Sequence, residues 1–278
     1  TGATGFIGSA FLRKAIQNGW SVRIIVRNAN SYASLQGVEI IEGDLSEPMN
    51  WDFAVKDIDL IVNTAAELKD KRIMHRVNFE GPSRLLRAAV SSGVNRWVQL
   101  SSVGAYGRHV EGVITEETPE RPASIYETTK ARFDELLNRE SQGQNIETSI
   151  IRPSNVYGKG MRNNAIKDML RLISLGLFVF VGSPGSSANY VHVDDVVNAL
   201  ELCVLRSEAK NKTYIVSDWT TIEDMVYALS SGSGNKHLLT FRIPLQIAKL
   251  LSVVSKCLRI NLLTSSRVMN MTLRTVYS

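Results

Sequence analysis

The segment Thr1-Gly2-Ala3-Thr4-Gly5-Phe6-Ile7-Gly8 carries a glycine at every third position. This spacing is typical of a tight turn from a strand into a helix, where a Cβ would block close approach of the backbone. Apolar residues then recur at helical spacing until Asn18-Gly19, which predicts a helix after the turn. The N–H groups at the start of such a helix bind phosphates. We therefore expect a pyrophosphate to contact Gly2, Gly5, Phe6, Ile7 and Gly8.

The glycine triplet alone also fits an ordinary tight turn, so the fold must be argued from more than these residues. A phosphate-binding turn follows a strand. We accordingly expect an apolar strand of about five residues before Thr1, at the centre of the sheet.

Composition indicates a globular protein that can bury a sizeable core. The 278 residues are 44% hydrophobic and 21% charged, with a net charge of +5. Lysine and arginine are scattered rather than clustered, which argues against nucleic-acid binding. Cys203 and Cys257 have neither a disulfide framework nor a metal-ligand spacing. We expect buried thiols in a reducing, cytoplasmic compartment, with no metal site.

Strands and helices alternate along the chain, which predicts an α/β fold of βαβ units around a parallel sheet. The predicted strands are 21–26, 38–42, 58–64, 96–100, 147–152 and 190–193, and the later helices are 73–92, 124–139 and 194–205. We expect a Rossmann-type doubly wound sheet over 1–157, to which 189–218 return. A small C-terminal substrate-binding lobe is expected over 158–188 and 219–278.

Small or polar residues follow the predicted strands, where open parallel sheets bind their ligands. They are Arg27, Asp44, Leu45, Ala65, Ala66, Ser101, Ser102, Pro153, Ser154 and Asn155. The Ala65-Ala66 pair would let a ring or a sugar lie close to the backbone. Asp44 would either accept a hydrogen bond from an adenine amino group or cap the next turn.

Tyr126 and Lys130 lie one helical turn apart and share a helix face. A phenol ionises near pH 10, so it needs a nearby positive charge for proton transfer at neutral pH. We expect the Lys130 ammonium, together with an oxidised nicotinamide, to lower the pKa of Tyr126. Ser102, beyond a strand end, would hold a substrate carbonyl for protonation by Tyr126. The alternative for the Tyr-Lys pair alone is an ordinary surface pair.

The motifs together resemble the extended short-chain dehydrogenases/reductases, in the NAD-dependent epimerase/dehydratase family typified by UDP-galactose 4-epimerase. They are the glycine turn, Asp44-Leu45, Asn78-Phe79-Glu80-Gly81, the Ser101–Gly107 segment, Tyr126 with Lys130, the Arg152–Gly158 segment and His192-Val193-Asp194-Asp195.

The resemblance implies a hydride-transfer enzyme with Ser102, Tyr126 and Lys130 as catalytic residues. It implies that Asn78 and the backbone near Pro153 and Ser154 contact the cofactor, and that Asn155 faces a sugar nucleotide. It also implies a homodimer formed through the helices over 73–92 and 124–139.

The end of the second strand of such a sheet bears on the choice of cofactor. NAD-dependent members place an acidic residue there, whereas this chain has Val26 followed by Arg27. An arginine can pair with a 2′-phosphate. The run 22–27 also resembles dihydroflavonol-type reductases, which use NADPH. We therefore expect NADP or NAD, with a preference for NADP; the alternative is a merely exposed arginine.

No acidic pair follows Ser102, since the next residues are Val103-Gly104-Ala105. Dehydratases of the family that the chain resembles usually carry such a pair to eliminate water, so its absence disfavours a dehydratase. A nucleotide-sugar epimerase or 4-ketoreductase is left. The alternative is an NADPH-dependent reductase of an apolar ketone, of dihydroflavonol or hydroxysteroid type. A non-catalytic sensor or scaffold is a third class, but such proteins usually lose the tyrosine or the lysine.

The most apolar stretch, 244–263, lies in the expected C-terminal lobe. Ile247, Leu250, Leu251, Val254 and Leu258 form one helical stripe. Charged residues interrupt the run, so it predicts no transmembrane segment. We expect the stripe to pack onto the lobe; the alternatives are a membrane-surface helix or the wall of an apolar substrate site.

Overall fold

The computed structural model describes residues 1–278 except 33–34, 36, 110, 144, 162–164, 233–240 and 258–264, without the side chains of 31–32, 253–257 and 265–267. The strands are β1 (Val22–Val26), β2 (Val38–Glu42), β3 (Leu60–Asn63), β4 (Arg96–Leu100), β5 (Glu111–Ile114), β6 (Glu147–Pro153), β7 (Asn155–Tyr157), β8 (Val179–Val181), β9 (Ser187–His192), β10 (Lys212–Val216), β11 (Asp218–Thr221), β12 (Phe241–Ile243) and β13 (Arg274–Tyr277). The helices are α1 (Phe6–Gln17), α2 (Trp51–Val55), α3 (Lys71–His75), α4 (Gly81–Ser91), α5 (Ile125–Gln142), α6 (Ala165–Ser174), α7 (Val193–Leu205), α8 (Ile222–Gly232), α9 (Leu245–Cys257) and α10 (Ser265–Asn270).

Parallel pairing organises the first part of the molecule. Four strands form a sheet in the order β10-β6-β4-β3, and β1 pairs with β2. All these pairs are parallel, so each connection must cross over, and helices make most of the crossovers. The predicted α/β, Rossmann-type parallel architecture is thereby confirmed.

Helices cover both faces of the four-stranded sheet. Successive strand residues point to opposite faces, so neighbours in β4 belong to different cores. Trp97 packs with α4 and α5, in a cluster that includes Phe133. Val98 packs with α1 and α7, in a cluster that includes Phe11 and Leu200. Function can therefore reside only at the ends of these buried strands.

Strands β1 and β3 each expose one edge to an apolar cavity. Within the described ranges, no strand pairs with the second edge of either. The cavity has a volume of about 170 Å³, and Leu12, Ile24 and Val62 are among the residues that line it. Thr1 lies beside the end of β3, because the Thr64 N–H donates to the Thr1 carbonyl oxygen at 3.2 Å. A strand leading into Thr1, as the sequence predicts, would lie along this cavity.

The predicted helix 73–92 is interrupted in the structure. Helices α3 and α4 are separated by a π-helical turn, Arg76–Glu80, and Pro82 lies at the start of α4. Proline has no N–H, so the regular i→i−4 bond at residue 82 is missing. A local change of helical register is a common response to such a break.

The described residues form two compact units. The first comprises Thr1–Arg108, Thr115–Gly160 and Val191–Val216, and the second comprises His109–Ile114, Met161–Tyr190 and Ser217–Ser278. The sequence assigned 109–114 to the first domain. These residues belong to the second unit because β5 pairs in parallel with β13.

Helix α9 in the second unit differs from expectation. Ile247, Leu250 and Leu251 are exposed rather than packed, while Ala248 and Ser252 are buried. Small residues allow the closer approach, and Ala248 packs with Val181 and Val268. The predicted side-chain positions at 254 and 258 lie outside the described residues. No helix in the described ranges is long and apolar enough to span a membrane.

Candidate active site

The glycine turn lies directly against the chain that follows β3. Gly2 has a φ of +76°, and a Cβ there would lie 2.4 Å from the Ala65 nitrogen. A Cβ on Gly8 would lie 2.1 Å from the Gly2 carbonyl oxygen. The Thr64 hydroxyl also donates to the Thr1 carbonyl oxygen at 2.9 Å. The structure therefore brings together Gly2 and Ala65, two residues that the sequence predicts to contact the ligand. No side chain fits at position 2.

The start of α1 is open to an anion. Its N-cap residue, Gly5, offers no side-chain acceptor, and the first turn contains no acidic residue. The first N–H groups of a helix have no partner within it, and the helix dipole adds positive charge there. Phe6 and Ile7 lie in this turn and are partly exposed. The turn is thus suited to a phosphate.

Asp44 caps the turn after β2. Its Oδ1 accepts hydrogen bonds from the Ser46 N–H at 2.8 Å and from the Ser46 hydroxyl at 2.9 Å. The next residue, Leu45, is buried. A Cβ on Gly81 would lie only 2.1 Å from the Leu45 carbonyl oxygen. Of the two roles that the sequence left open for Asp44, the structure shows the capping contact, and a contact with adenine stays a prediction.

Asn78 links two segments of the site. Its Oδ1 accepts from the Glu67 N–H at 2.7 Å, and its Nδ2 donates to the Glu67 carbonyl oxygen at 3.0 Å and to the Thr129 hydroxyl at 3.3 Å. Asn78 is 2% exposed. Its amide hydrogen bonds connect the segment after β3 to α5. A direct contact between Asn78 and the cofactor stays a prediction.

Ser102, Tyr126 and Lys130 come together at the ends of β4 and the start of α5. The Ser102 side chain lies near the Tyr126 phenol and acts on it to lower its pKa. Ser102 Oγ also accepts from the Gly104 N–H at 3.0 Å. Lys130 is 2% exposed, and its Nζ donates to the Leu100 carbonyl oxygen at 2.5 Å. The structure therefore brings together the predicted Ser102 and Tyr126, which are 24 positions apart, with Lys130 one turn further along α5.

A capping box fixes where α5 begins and hence where Tyr126 points. Ser124 Oγ accepts from the Glu127 N–H at 3.2 Å, and Glu127 Oε2 accepts from the Ser124 N–H at 2.8 Å. Two helix N–H groups are satisfied reciprocally in such a box. Tyr126, the second residue of the helix, consequently has a defined orientation.

The pKa of Tyr126 is opposite to the sequence expectation. Removal from water raises the pKa of Tyr126 to about 12, against the hydrogen bond from Ser102, which favours the phenolate. Burial likewise lowers the pKa of Lys130 to about 8, while the charge of Asp134 opposes that shift. The expectation that Lys130 lowers the pKa of Tyr126 is wrong for the chain by itself. Desolvation dominates, and the ammonium is bonded to Leu100 instead.

A buried ion cluster beneath the triad was missed from the sequence. Asp134 Oδ2 accepts from the Ser101 hydroxyl at 2.6 Å and from Arg152 Nε and Nη2 at 3.1 and 2.9 Å. Arg152 also pairs with Glu120, and its guanidinium lies 4.9 Å from the centre of the Tyr106 ring. The available signal was the spacing of Asp134 four residues after Lys130, on the inner face of α5.

The end of β6 supplies the remaining predicted contacts. Pro153 and Ser154 are buried, and the Ser154 N–H donates to the Val216 carbonyl oxygen at 3.1 Å. Asn155 is exposed. Arg27, after β1, is exposed as well, and within the described part of the chain its guanidinium makes no hydrogen bond or ion pair.

Comparison with known proteins identifies the family. The profile of the NAD dependent epimerase/dehydratase family matches residues 1–217. The chain belongs to this family. Its members are enzymes, and the turn at Gly2 and the open start of α1 fit the nicotinamide dinucleotide cofactor that the family name states.

Individual relatives have low sequence identity to this chain, but the similarity extends over most of its length. The chain is 27% identical to UDP-glucose 4-epimerase of Vibrio cholerae, over 78% of this chain and 69% of that protein. It is 29% identical to sterol demethylase protein B of Methylococcus capsulatus, over 84% and 74%. Among solved structures, MoeE5 in complex with UDP-glucose and NAD is similar with a TM-score of 0.71 and 26% identity, over 87% of this chain and 83% of that one.

Proposed function

We propose that this chain is an NAD(P)-dependent epimerase or 4-ketoreductase of a nucleotide-sugar. One observation carries the proposal: Ser102 lies beside Tyr126 at the start of α5, with the buried Lys130 one turn further along the same helix. The similar proteins named UDP-glucose 4-epimerase and MoeE5, the latter solved with UDP-glucose and NAD, support the substrate class.

Each residue of the triad has a defined task. A dinucleotide held by the glycine turn and the start of α1 would supply a nicotinamide that exchanges hydride with the substrate carbon. Tyr126 exchanges a proton with the substrate hydroxyl or carbonyl oxygen, and Ser102 orients that oxygen. Lys130 bonds a ribose hydroxyl and supplies positive charge. Because the chain alone raises the pKa of Tyr126 to about 12, Tyr126 needs the additional positive charge of an oxidised nicotinamide to act at neutral pH.

The test of this proposal is a binding and turnover panel. UDP-, GDP-, dTDP- and CDP-sugars are combined with NAD or NADP, and thermal stabilisation and product formation are measured. Tyr126→Phe should reduce turnover at least about a hundredfold and leave dinucleotide binding intact. Tyr227→Phe, at a half-exposed tyrosine, is the matched control. Near wild-type turnover of Tyr126→Phe would refute the mechanism.

The NADP preference is the finer part of the proposal. Arg27 follows β1, is exposed, and is free to pair with a 2′-phosphate. Arg27→Ala should weaken NADP binding about tenfold and leave NAD binding unchanged. Arg13→Ala, an exposed arginine in α1, is the control. Equal effects of Arg27→Ala on both dinucleotides would remove the preference.

A second candidate is an NADPH-dependent reductase of an apolar ketone. The similarity to a sterol demethylase protein and the exposed Leu250 and Leu251 of α9 favour it. Stabilisation by a steroid ketone with NADPH, and by no sugar nucleotide in the panel, would replace the first candidate with this one.

A homodimer through α4 and α5 is also part of the proposal. Arg132 of α5 lies 5.1 Å from the centre of the ring of Phe79, which precedes α4 in the π-helical turn. Light scattering of the purified chain decides between a monomer and a dimer.

A further inference from the structure

The charge of Asp134 acts on Lys130 to raise its pKa, against the effect of burial. The two residues lie one turn apart in α5 and therefore share a face. Asp134 is 0% exposed and Lys130 is 2% exposed, so their interaction is little screened by water. Three donors, one from Ser101 and two from Arg152, converge on a single carboxyl oxygen of Asp134. These donors favour the carboxylate anion, against burial, which raises the pKa of Asp134.

The same carboxylate joins the elements that carry the triad. Ser101 directly precedes Ser102 at the end of β4, and Arg152 directly precedes Pro153 at the end of β6. Asp134 ties both to the helix that carries Tyr126 and Lys130. A shift of α5 relative to these strand ends would therefore break at least one of its hydrogen bonds.

The charges around Lys130 balance. From its own helix, Lys130 faces Tyr126 and Asp134. From the strand ends it faces the Leu100 carbonyl oxygen, and beyond Asp134 lie Arg152 and its second partner, Glu120. Two cations and two anions make a neutral cluster while Lys130 keeps its proton. Removal of the Asp134 charge alone leaves an excess of positive charge in a buried site.

We propose that Asp134 is a positioning residue, whose buried carboxylate favours the charged form of Lys130 and fixes α5 against the ends of β4 and β6. The catalytic consequence rests on the proposed function, but the charge of Lys130 does not. Lysine labelled with ¹³C at Cε gives an NMR signal that reports its protonation directly, without any ligand. The Lys130 signal is assigned from its loss in Lys130→Met.

Asp134→Asn should lower the pKa of Lys130 by about one pH unit or more from the wild-type value. Glu120→Gln is the matched control, because it makes the same chemical change on the other partner of Arg152. The Lys130 titration should stay unchanged, since Glu120 is about a third exposed and its charge is screened by water. Asp134→Glu, which restores the charge, should restore the titration. An unchanged Lys130 titration in Asp134→Asn, or an equal shift in Glu120→Gln, overturns the proposal.

Loss of one member of a buried ion pair can prevent folding. The double variant Asp134→Asn, Arg152→Met removes both charges and serves the same test. The Lys130 pKa should fall below the wild-type value, but by less than in Asp134→Asn, because the Arg152 charge is removed as well. Dinucleotide affinity is then measured against pH in wild type and Asp134→Asn. A wild type that binds neither NAD nor NADP contradicts the proposed function, whereas a lowered Lys130 titration supports the inference in either case.

Discussion

At the scale of single residues, desolvation determines what the site can do. The same phenol and ammonium that the sequence places on one helix face have pKa values set mainly by burial. Burial raises the pKa of Tyr126 and lowers that of Lys130, each in favour of the neutral form. The charged form of each group therefore needs a specific partner of opposite charge. For Lys130 this partner is the Asp134 carboxylate.

Burial of Lys130 predicts a pH-dependent contribution to stability. Its pKa falls from an ordinary 10.5 to about 8, so between these values the unfolded state binds more protons than the folded state. The free energy of unfolding should therefore rise with pH over this range, by up to about 3 kcal/mol. The penalty is fully present below about pH 8. Urea unfolding of wild type and Lys130→Met, from about pH 7 to about pH 10, measures it. Parallel stability curves for the two proteins would show that Lys130 titrates normally.

The glycine turn predicts a steric effect. A Cβ at Gly8 meets the Gly2 carbonyl oxygen at 2.1 Å, so Gly8→Ala must displace backbone at the phosphate site. We expect a loss of about 1–3 kcal/mol in stability and a measurable loss of dinucleotide affinity. Gly232→Ala, in α8 with nothing near its Cβ position, should be tolerated. Comparable affinities for the two variants in fluorescence titrations would argue against the turn as the phosphate site.

At the scale of elements, local pattern predicts what local physics decides. Strands β2 and β4 are confirmed with the predicted bounds, because alternation and flanking glycine or serine mark them. The π turn before Pro82 and the exposed stripe of α9 were not predicted, since each depends on packing partners distant in sequence. Ser102, Tyr126 and Lys130 were predicted because helical spacing and the end of a strand mark them in the sequence. No such local pattern marks the Asp134–Arg152 contact, which joins a helix to a different strand.

The capping box of α5 gives a prediction at this scale. Ser124→Ala removes the acceptor for the Glu127 N–H and should cost about 1 kcal/mol of stability. It also loosens the turn that carries Tyr126, so turnover should fall more than substrate affinity. Ser141→Ala, near the end of the same helix, is the control, because alanine is a good residue in a helix interior. A stability equal to wild type in denaturant unfolding of Ser124→Ala would contradict a role for the box.

At the scale of the whole molecule, two parallel sheets end at a shared apolar cavity. Strand β1 continues the pairing of β2, and β3 continues that of β4, β6 and β10. Within the described residues, no strand pairs with the facing edges of β1 and β3, and such open edges template an added strand. The cavity lining of Leu12, Ile24 and Val62 matches a strand that is apolar on both faces.

This cavity predicts the effect of an added N-terminal segment. A run of about six valine and isoleucine residues joined to Thr1 should pair with both edges and unite the two sheets. Each side chain that it buries contributes up to about 1.5–3 kcal/mol, so thermal unfolding should shift upward by several degrees or more. Amide exchange in β1 and β3 should slow, since both edges become paired. A glycine-serine segment of equal length is the control, because it can neither fill the cavity nor hold a strand. Equal melting temperatures and equal amide exchange for the two segments would mean that the cavity does not accept a strand. The two parallel sheets would then remain separate.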